Sequence, residues 1–135
     1  LLNKSDVWDI VELDFYESSD CVGNQFNDGT PIASAWFGGG TTYTPDKGFD
    51  NDENTLWGGR VDANGDLWLG MEFTSEKEVK CIAYVDAVWK ATKLVVQTWH
   101  EVNGWQDITM AIDIRPTNSD EKKFVLPYPL PTTVS

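Results

Sequence analysis

The chain has 135 residues, and its 22 acidic and 10 basic side chains give a net charge of −12. This charge opposes binding to nucleic acids, anionic lipid headgroups and sulfated polysaccharides, because each of these partners is itself negatively charged. A hydrophobic fraction of 41%, which includes seven Trp residues, excludes a disordered acidic tail and predicts one globular domain. The sequence also predicts neither a membrane span nor a signal peptide, because no long apolar run is present.

Short apolar runs predict β-strands rather than helices. The first run alternates apolar and polar residues between Trp8 and Phe15, which is the period of a half-buried strand. Turn-forming residues separate it from later runs at Ile32–Phe37, Leu67–Phe73, Val79–Val85, Lys93–Trp99, Gln106–Ile114 and Lys123–Leu126. This pattern predicts an all-β sandwich over residues 1–126. Residues 127–135 contain three prolines and predict an extended linker or tail.

The two cysteines, Cys21 and Cys81, permit either one disulfide bond or two buried free thiols. The Trp-rich, acidic and lysine-poor composition favours the disulfide and an extracellular location. Such a bond would close a loop of about 60 residues and stabilise the fold by roughly 4 kcal/mol in the loop-entropy model.

Catalytic motifs are absent from the sequence. It has no Gly-x-Ser-x-Gly elbow, no phosphate-binding Gly-Lys-Ser/Thr loop and no dinucleotide fingerprint, and His100 is its one histidine. A carboxylate pair for glycoside hydrolysis stays open among the 22 acidic residues. The sequence nevertheless predicts a binding protein rather than an enzyme.

The densest acidic segment is Asp46–Trp57, and its clustered carboxylates suit an oxygen-binding cation such as calcium. An EF-hand starting at Asp50 fails, because Thr55 stands where that loop needs Gly and Val61 stands where it needs Glu. The alternative interpretation is a solvated acidic loop without an ion.

A family resemblance favours the ion. The segment Lys47–Trp57 reads K-G-F-D-N-D-E-N-T-L-W and resembles the F-D-G-D-x-x-T-x-W signature of discoidin-like domains. These domains include the coagulation factor V/VIII type C domains and galactose-binding-like carbohydrate-binding modules. Together with resemblances at Leu67–Phe73, Val79–Val85 and Asn103–Trp105, the similarity extends over roughly residues 32–124. It implies a jelly-roll β-sandwich of about eight antiparallel strands.

The first predicted strand departs from the usual order of this family. Trp8–Tyr16 resembles the strand that normally closes such domains at their C-terminus, yet here it comes first. Two explanations stay open: a circular permutation, or excision from a tandem array. Both place Glu12 beside the acidic loop.

The resemblance implies a structural calcium ion between that strand and the loop. Asn51 stands where the family has Gly, which Asn can replace because it tolerates a left-handed backbone. The implied ligands are the carbonyls of Val11, Lys47 and Asp52, the carboxylates of Glu12 and Asp50, and the carbonyl and hydroxyl of Thr55.

The resemblance also implies a ligand site in loops at one edge of the sandwich, where aromatic side chains stack on sugars. Four tryptophans match core positions of the family, namely Trp8, Trp57, Trp68 and Trp105. The candidate ligand-binding residues are of two kinds. Some are aromatic residues that fit no core pattern, namely Trp36, Phe37, Tyr43 and Trp89, and the others, Arg60 and His100, can form hydrogen bonds with sugar hydroxyls. Since Trp36 and Phe37 are consecutive on a strand, we expect one of them to point away from the core.

The function that the resemblance implies is a noncatalytic, calcium-stabilised, lectin-like adhesion module that binds carbohydrate. The expected partner is a neutral glycan or glycoprotein, and the expected parent is a larger extracellular protein. The alternative is a discoidin adhesion domain that recognises protein or phospholipid, for which the net charge disfavours anionic membranes.

Overall fold

The computed structural model of the protein describes residues 2–3, 7–86, 91, 93–110, 112–113 and 121–126. In these residues the chain forms β-strands and one short 3-10 turn at Pro45–Gly48. In chain order the strands are β1 (Leu2–Asn3), β2 (Val7–Tyr16), β3 (Thr30–Ala33), β4 (Ala35–Trp36), β5 (Trp57–Arg60), β6 (Leu67–Glu72), β7 (Cys81–Asp86), β8 (Lys93–Val95), β9 (Gln97–His100), β10 (Gly104–Asp107), β11 (Ile112–Asp113) and β12 (Glu121–Val125).

The strands form two five-stranded sheets and a separate two-stranded hairpin, all with antiparallel pairing. The first sheet has the order β11-β8-β1-β6-β3, and the second has the order β12-β7-β2-β5-β4. The hairpin consists of β9 and β10. The predicted all-β class is confirmed.

One hydrophobic core joins the two five-stranded sheets. The second sheet contributes Trp8, Trp57 and Tyr84, whereas the first contributes Leu67 and Leu69, and all five side chains are at most 1% exposed. The Trp8 ring meets both Trp57 and Tyr84 edge to face, with centroids 6.0 and 5.9 Å apart. This arrangement brings the positive edge of one ring to the negative face of the next. The predicted core positions of Trp8 and Trp57 are confirmed.

The strands nearest the N-terminus occupy the middle of both sheets. β1 pairs with β6 and β8, and β2 pairs with β5 and β7. An irregularity between Ile10 and Glu12 interrupts the pairing of β2 with β7. A bulge of this kind redirects the side chains that follow it, and here it lies beside the acidic loop.

The predicted strand Ile32–Phe37 is divided at Ser34 between the two sheets, because β3 pairs with β6 whereas β4 pairs with β5. The Ser34 hydroxyl donates to the Arg60 carbonyl at 2.7 Å, and the Trp68 amide donates to the same hydroxyl at 3.2 Å. Ser34 therefore satisfies backbone groups of both sheets at the point where the chain crosses between them.

Later predicted strands are divided in the same way. Lys93–Trp99 separates at Val96 into β8 and β9, and Gln106–Ile114 separates into β10 and β11. The Ile108 amide donates to the Val96 carbonyl at 2.9 Å, which attaches the hairpin to the body of the fold. The sequence prediction also missed β5, because two of its four residues are glycines, which weaken strand formation.

A disulfide bond joins Cys21 to Cys81, a sequence separation of 60 residues. Both cysteines are buried and pack with Ala83 and Tyr16 as a cluster apart from the main core. Cys21 has a φ of 58°, a left-handed conformation that costs energy for a non-glycine residue. The disulfide prediction is confirmed, and such bonds are typical of secreted and extracellular proteins.

Two parts of the sequence predictions lie outside the described residues. These are Trp89 and the proline-rich segment 127–135. Within the described residues, the structure has no helix of the length and hydrophobicity needed to cross a membrane.

Replacing both cysteines by alanine is expected to lower the free energy of unfolding by about 3–4 kcal/mol, because the unfolded chain gains the entropy of an open 60-residue loop. Urea unfolding of the double variant measures this change. Val22→Ala is the matched control, since Val22 lies in the same loop and is 57% exposed, and it is expected to change stability by less than about 0.5 kcal/mol. Equal stability of wild type and double variant would contradict the expectation.

Candidate functional site

The acidic loop that follows the 3-10 turn is organised by its own side chains. The Asp52 amide donates to one carboxylate oxygen of Asp50 at 3.1 Å, and the Thr55 hydroxyl donates to the other. The Asn54 amide donates to the Asp52 carboxylate at 2.9 Å. Asn51 has a φ of 56°, the left-handed conformation that Asn tolerates. The loop thus gathers several oxygen atoms at the surface of the sandwich.

Glu12 connects β2 to this loop. The Asn51 amide donates to Glu12 Oε1 at 2.9 Å, although the two residues are 39 positions apart. The other carboxylate oxygen, Oε2, is buried and accepts no hydrogen bond from the described residues. The structure therefore places Glu12 against the loop, as the sequence predicted, and leaves one of its oxygens buried without a donor.

The environment of Glu12 disfavours its negative charge. Burial, the neighbouring Asp14 carboxyl and the charge of Asp50 raise the pKa of Glu12 to about 9. Burial also raises the pKa of Asp14 above its ordinary value. Two ionised carboxylates accept hydrogen bonds but donate none, so Glu12 can bond to Asp14 only when one of them is protonated. Either a proton or a cation would relieve this repulsion.

A concave surface of about 620 Å³ opens beside Glu12. It lies over the central strands of the second sheet, next to the acidic loop. Oxygen-bearing side chains dominate its lining, which consists of Val11, Glu12, Asp14, Asn51, Glu53, Val85, Asp86 and Glu121. Its chemistry suits a hard cation rather than an anion or an apolar molecule.

Two observations bear on whether these residues fit a calcium ion. In the part of the chain that the structure describes, no three His, Cys, Asp or Glu side chains are grouped so that they could hold a metal ion. The predicted set requires only two such side chains, Glu12 and Asp50, because its other oxygens come from Thr55 and from backbone carbonyls. The buried Oε2 of Glu12 without a hydrogen-bond donor is the feature that fits a cation.

A second cluster forms between β4 and β5, where three predicted ligand-binding residues meet. The Arg60 guanidinium carbon lies 4.8 Å from the centre of the Phe37 ring, and the Phe37 and Tyr43 ring centres are 5.9 Å apart. The three side chains surround a cavity of about 240 Å³, which is lined by Asp9, Phe37, Tyr43, Leu56, Gly58 and Arg60. We call it the Phe37–Arg60 cavity.

Backbone hydrogen bonds hold the walls of this cavity. The Phe37 amide donates to the Gly58 carbonyl at 2.9 Å, and the Gly58 amide donates to the Tyr43 carbonyl at 3.2 Å. A Cβ added to Gly58 would lie 3.1 Å from the Tyr43 side chain and 3.6 Å from that of Phe37. Glycine at position 58 therefore keeps the floor of the cavity open.

Phe37 points outward while its neighbour packs inward. Phe37 is 55% exposed, whereas Trp36 is half-buried, packs against the core and donates its indole N–H to the Gly40 carbonyl at 3.1 Å. The structure thus separates Trp36 from the ligand-binding set and gives it the role of holding the glycine loop.

His100 also lies apart from the cavity, on the β9–β10 hairpin. Its Nδ1 accepts hydrogen bonds from the amides of Val102 and Asn103 at 3.2 and 3.3 Å. His100 therefore stabilises the hairpin turn and does not line the Phe37–Arg60 cavity.

Sequence reasoning missed part of this site and misplaced one tryptophan. Asp9 and Leu56 line the cavity but were not predicted, although the alternation of β2 could have identified Asp9 as pointing away from the core. The expectation that Trp105 lies in the core is wrong, because its side chain is 43% exposed. Trp105 belongs to the hairpin, which stands outside the two main sheets.

No protein-family model, curated protein or solved structure matches this chain. The discoidin-like resemblance therefore stays a prediction from the sequence.

In the presence of a chelator, the stability of the protein is expected to fall as the pH rises from about 5 to 9. The pKa of Glu12 is about 9 in the folded state and 4.5 in its ordinary state, so the folded protein binds the extra proton throughout this range. The raised pKa of Asp14 acts in the same direction. Because the folded state binds more protons than the unfolded chain, each increase in pH favours unfolding.

Urea unfolding in EDTA at several pH values measures this dependence. Glu12→Gln is expected to reduce the slope, because Gln does not titrate. Glu53→Gln is the matched control, since Glu53 lines the same concave surface but is exposed, and it is expected to keep the wild-type slope. A stability that stays level or rises between pH 5 and 9 would contradict the interpretation of Glu12.

Proposed function

We propose that this domain is a noncatalytic carbohydrate-binding module of the discoidin-like type, with a jelly-roll β-sandwich stabilised by calcium. The observation that carries the proposal is the meeting of Phe37, Tyr43 and Arg60 around one open cavity. Aromatic faces pack against the apolar faces of sugar rings, while a guanidinium donates hydrogen bonds to neighbouring hydroxyls. The disulfide supports a role within a larger extracellular adhesion protein.

The electrostatics of the cavity favour a neutral glycan as its ligand. Arg60 and Asp9 both line it, so the cavity combines a cationic donor with a carboxylate. The surrounding protein carries a net charge of −12, which repels sulfated or otherwise anionic glycans.

Calcium in this proposal is bound between β2 and the acidic loop. Glu12 and Asp50 would supply carboxylates, Thr55 would supply its hydroxyl and carbonyl, and Val11, Lys47 and Asp52 would supply carbonyls. The ion supplies positive charge that offsets the repulsion among Glu12, Asp14 and Asp50. Its ligands from β2 and from the acidic loop would then hold these two segments together, in addition to the hydrogen bond between Asn51 and Glu12.

Calcium is expected to raise the melting temperature relative to the protein in EDTA, with a gain of about 2.7 kcal/mol at a hundredfold excess over the dissociation constant. Differential scanning calorimetry of wild type and of Asp50→Asn measures the effect, which the variant is expected to lose. Asp66→Asn is the matched control, because Asp66 is an exposed acid in a different turn. Superimposable curves for wild-type protein with calcium and with EDTA would sink the calcium proposal.

A glycan array of neutral oligosaccharides is expected to give binding that depends on the Phe37–Arg60 cavity. Phe37→Ala and Arg60→Lys are each expected to weaken binding roughly tenfold, about 1.4 kcal/mol, through loss of the ring face and of the planar fork respectively. Gly58→Ala is expected to weaken it as well, because its methyl group enters the cavity floor.

Met110→Ala serves as the control for glycan binding, since Met110 is 89% exposed and does not line the cavity. Circular dichroism and melting temperatures establish that each variant folds. Binding that survives all three cavity changes would overturn the assignment of the site, and an array without signal would favour protein adhesion.

A further inference from the structure

The β9–β10 hairpin presents two exposed tryptophans that neither proposed site uses. Trp99 and Trp105 lie directly opposite each other and are 59% and 43% exposed. Their ring centres are 5.4 Å apart with planes at 71°, so the two indoles form a corner. Trp68 supports this corner from β6, with its ring centre 6.2 Å from that of Trp105. Exposed aromatic clusters of this kind are unusual on a free surface and indicate a binding site.

Polar acceptors lie on the same face of the hairpin. Beyond the intervening pair Thr98–Gln106, Gln97 and Asp107 form a directly opposed pair two residues from each tryptophan, so they point to the same side. The Gln97 amide nitrogen donates to Asp107 Oδ1 at 2.8 Å, which fixes the position of the carboxylate. The second oxygen of this exposed carboxylate adds further acceptor capacity.

The charge of this face selects the class of ligand. The hairpin segment 97–107 contains no Lys or Arg and carries the acids Glu101 and Asp107. Indole faces are themselves negative in potential and attract cations. Nδ1 of His100 accepts hydrogen bonds from two backbone amides of the hairpin turn. Aromatic faces, a fixed carboxylate and a net charge of −12 all complement a cation.

We propose that the Trp99–Trp105 face binds an arginine side chain of a basic partner protein. The guanidinium stacks on an indole and donates hydrogen bonds to the Asp107 carboxylate, which lies two residue pairs away along the hairpin on the same face. Arginine fits better than lysine, because its planar group can stack and donate in the same plane. A neutral sugar would gain nothing from the charge of this face. The inference is independent of glycan binding at the Phe37–Arg60 cavity.

Titration with a hexa-arginine peptide, followed by calorimetry at 150 mM NaCl and by the NMR signals of the indole N–H groups, tests this proposal. Hexa-arginine is expected to shift the Trp99 and Trp105 signals and to bind more tightly than hexa-lysine. Trp99→Leu, which keeps an apolar side chain but removes the ring, is expected to weaken binding about two- to fivefold. Asp107→Asn is expected to weaken it by a similar factor.

Glu76→Gln is the matched control for charge, because Glu76 is exposed and lies outside the hairpin. Arginine binding at the hairpin requires Asp107→Asn to exceed Glu76→Gln in effect. Equal losses in these two variants, undiminished binding by Trp99→Leu, or no binding of hexa-arginine would each overturn the proposal. Indole shifts caused by a neutral oligosaccharide but not by the peptide would also overturn it and would assign the face to glycans.

Discussion

The antiparallel pairing of β2 with β5 is the constraint on which both the core and the candidate sites depend. Its register places Trp8 opposite Gly59 and Ile10 opposite Trp57. A Cβ on Gly59 would lie 2.4 Å from the Trp57 ring and 2.6 Å from the Trp8 carbonyl, so only glycine permits this approach. The same pairing sets Asp9 opposite Gly58 in the Phe37–Arg60 cavity. Farther along β2, beyond the bulge, Glu12 reaches the acidic loop that precedes β5.

The position of Glu12 on a central strand explains why ionisation of its carboxyl group is unfavourable. A surface glutamate would be hydrated, but a residue of β2 is flanked by β5 and β7 and loses much of that hydration. Asp14 on the same strand and Asp50 in the loop add repulsion. A fold maximising stability alone would place uncharged residues here, since unpaired buried charge destabilises. In the proposed function, a bound calcium ion would supply the positive charge that offsets this repulsion.

Alternation predicted the strand class, and the acidic, Trp-rich composition favoured the disulfide. The family resemblance of the first strand predicted that Glu12 lies beside the acidic loop. The sequence could not show that Ser34 and Val96 divide two apolar runs between sheets, since both halves of each run keep the alternating pattern. The sequence did not predict β5, because Gly58 and Gly59 have low strand propensity. Glycine is required at these positions by the close approach of the Tyr43 and Trp57 side chains. Of the candidate ligand residues, Phe37, Tyr43 and Arg60 converge through pairing of distant segments, which no local pattern encodes.

The hairpin shows why tryptophan alone does not predict burial. Trp8 and Trp57 are enclosed because each lies on a strand between two others in a sheet that faces the core. Trp105 has the same side chain, but among the described strands β10 pairs with β9 alone and stands outside both five-stranded sheets. Hydrogen bonds of Val96 with Ile108 and Thr109 attach the hairpin at its base and leave its far end free of the core. Its exposed indoles therefore contribute little to the main core, and their exposure is the feature on which the proposed arginine-binding face rests.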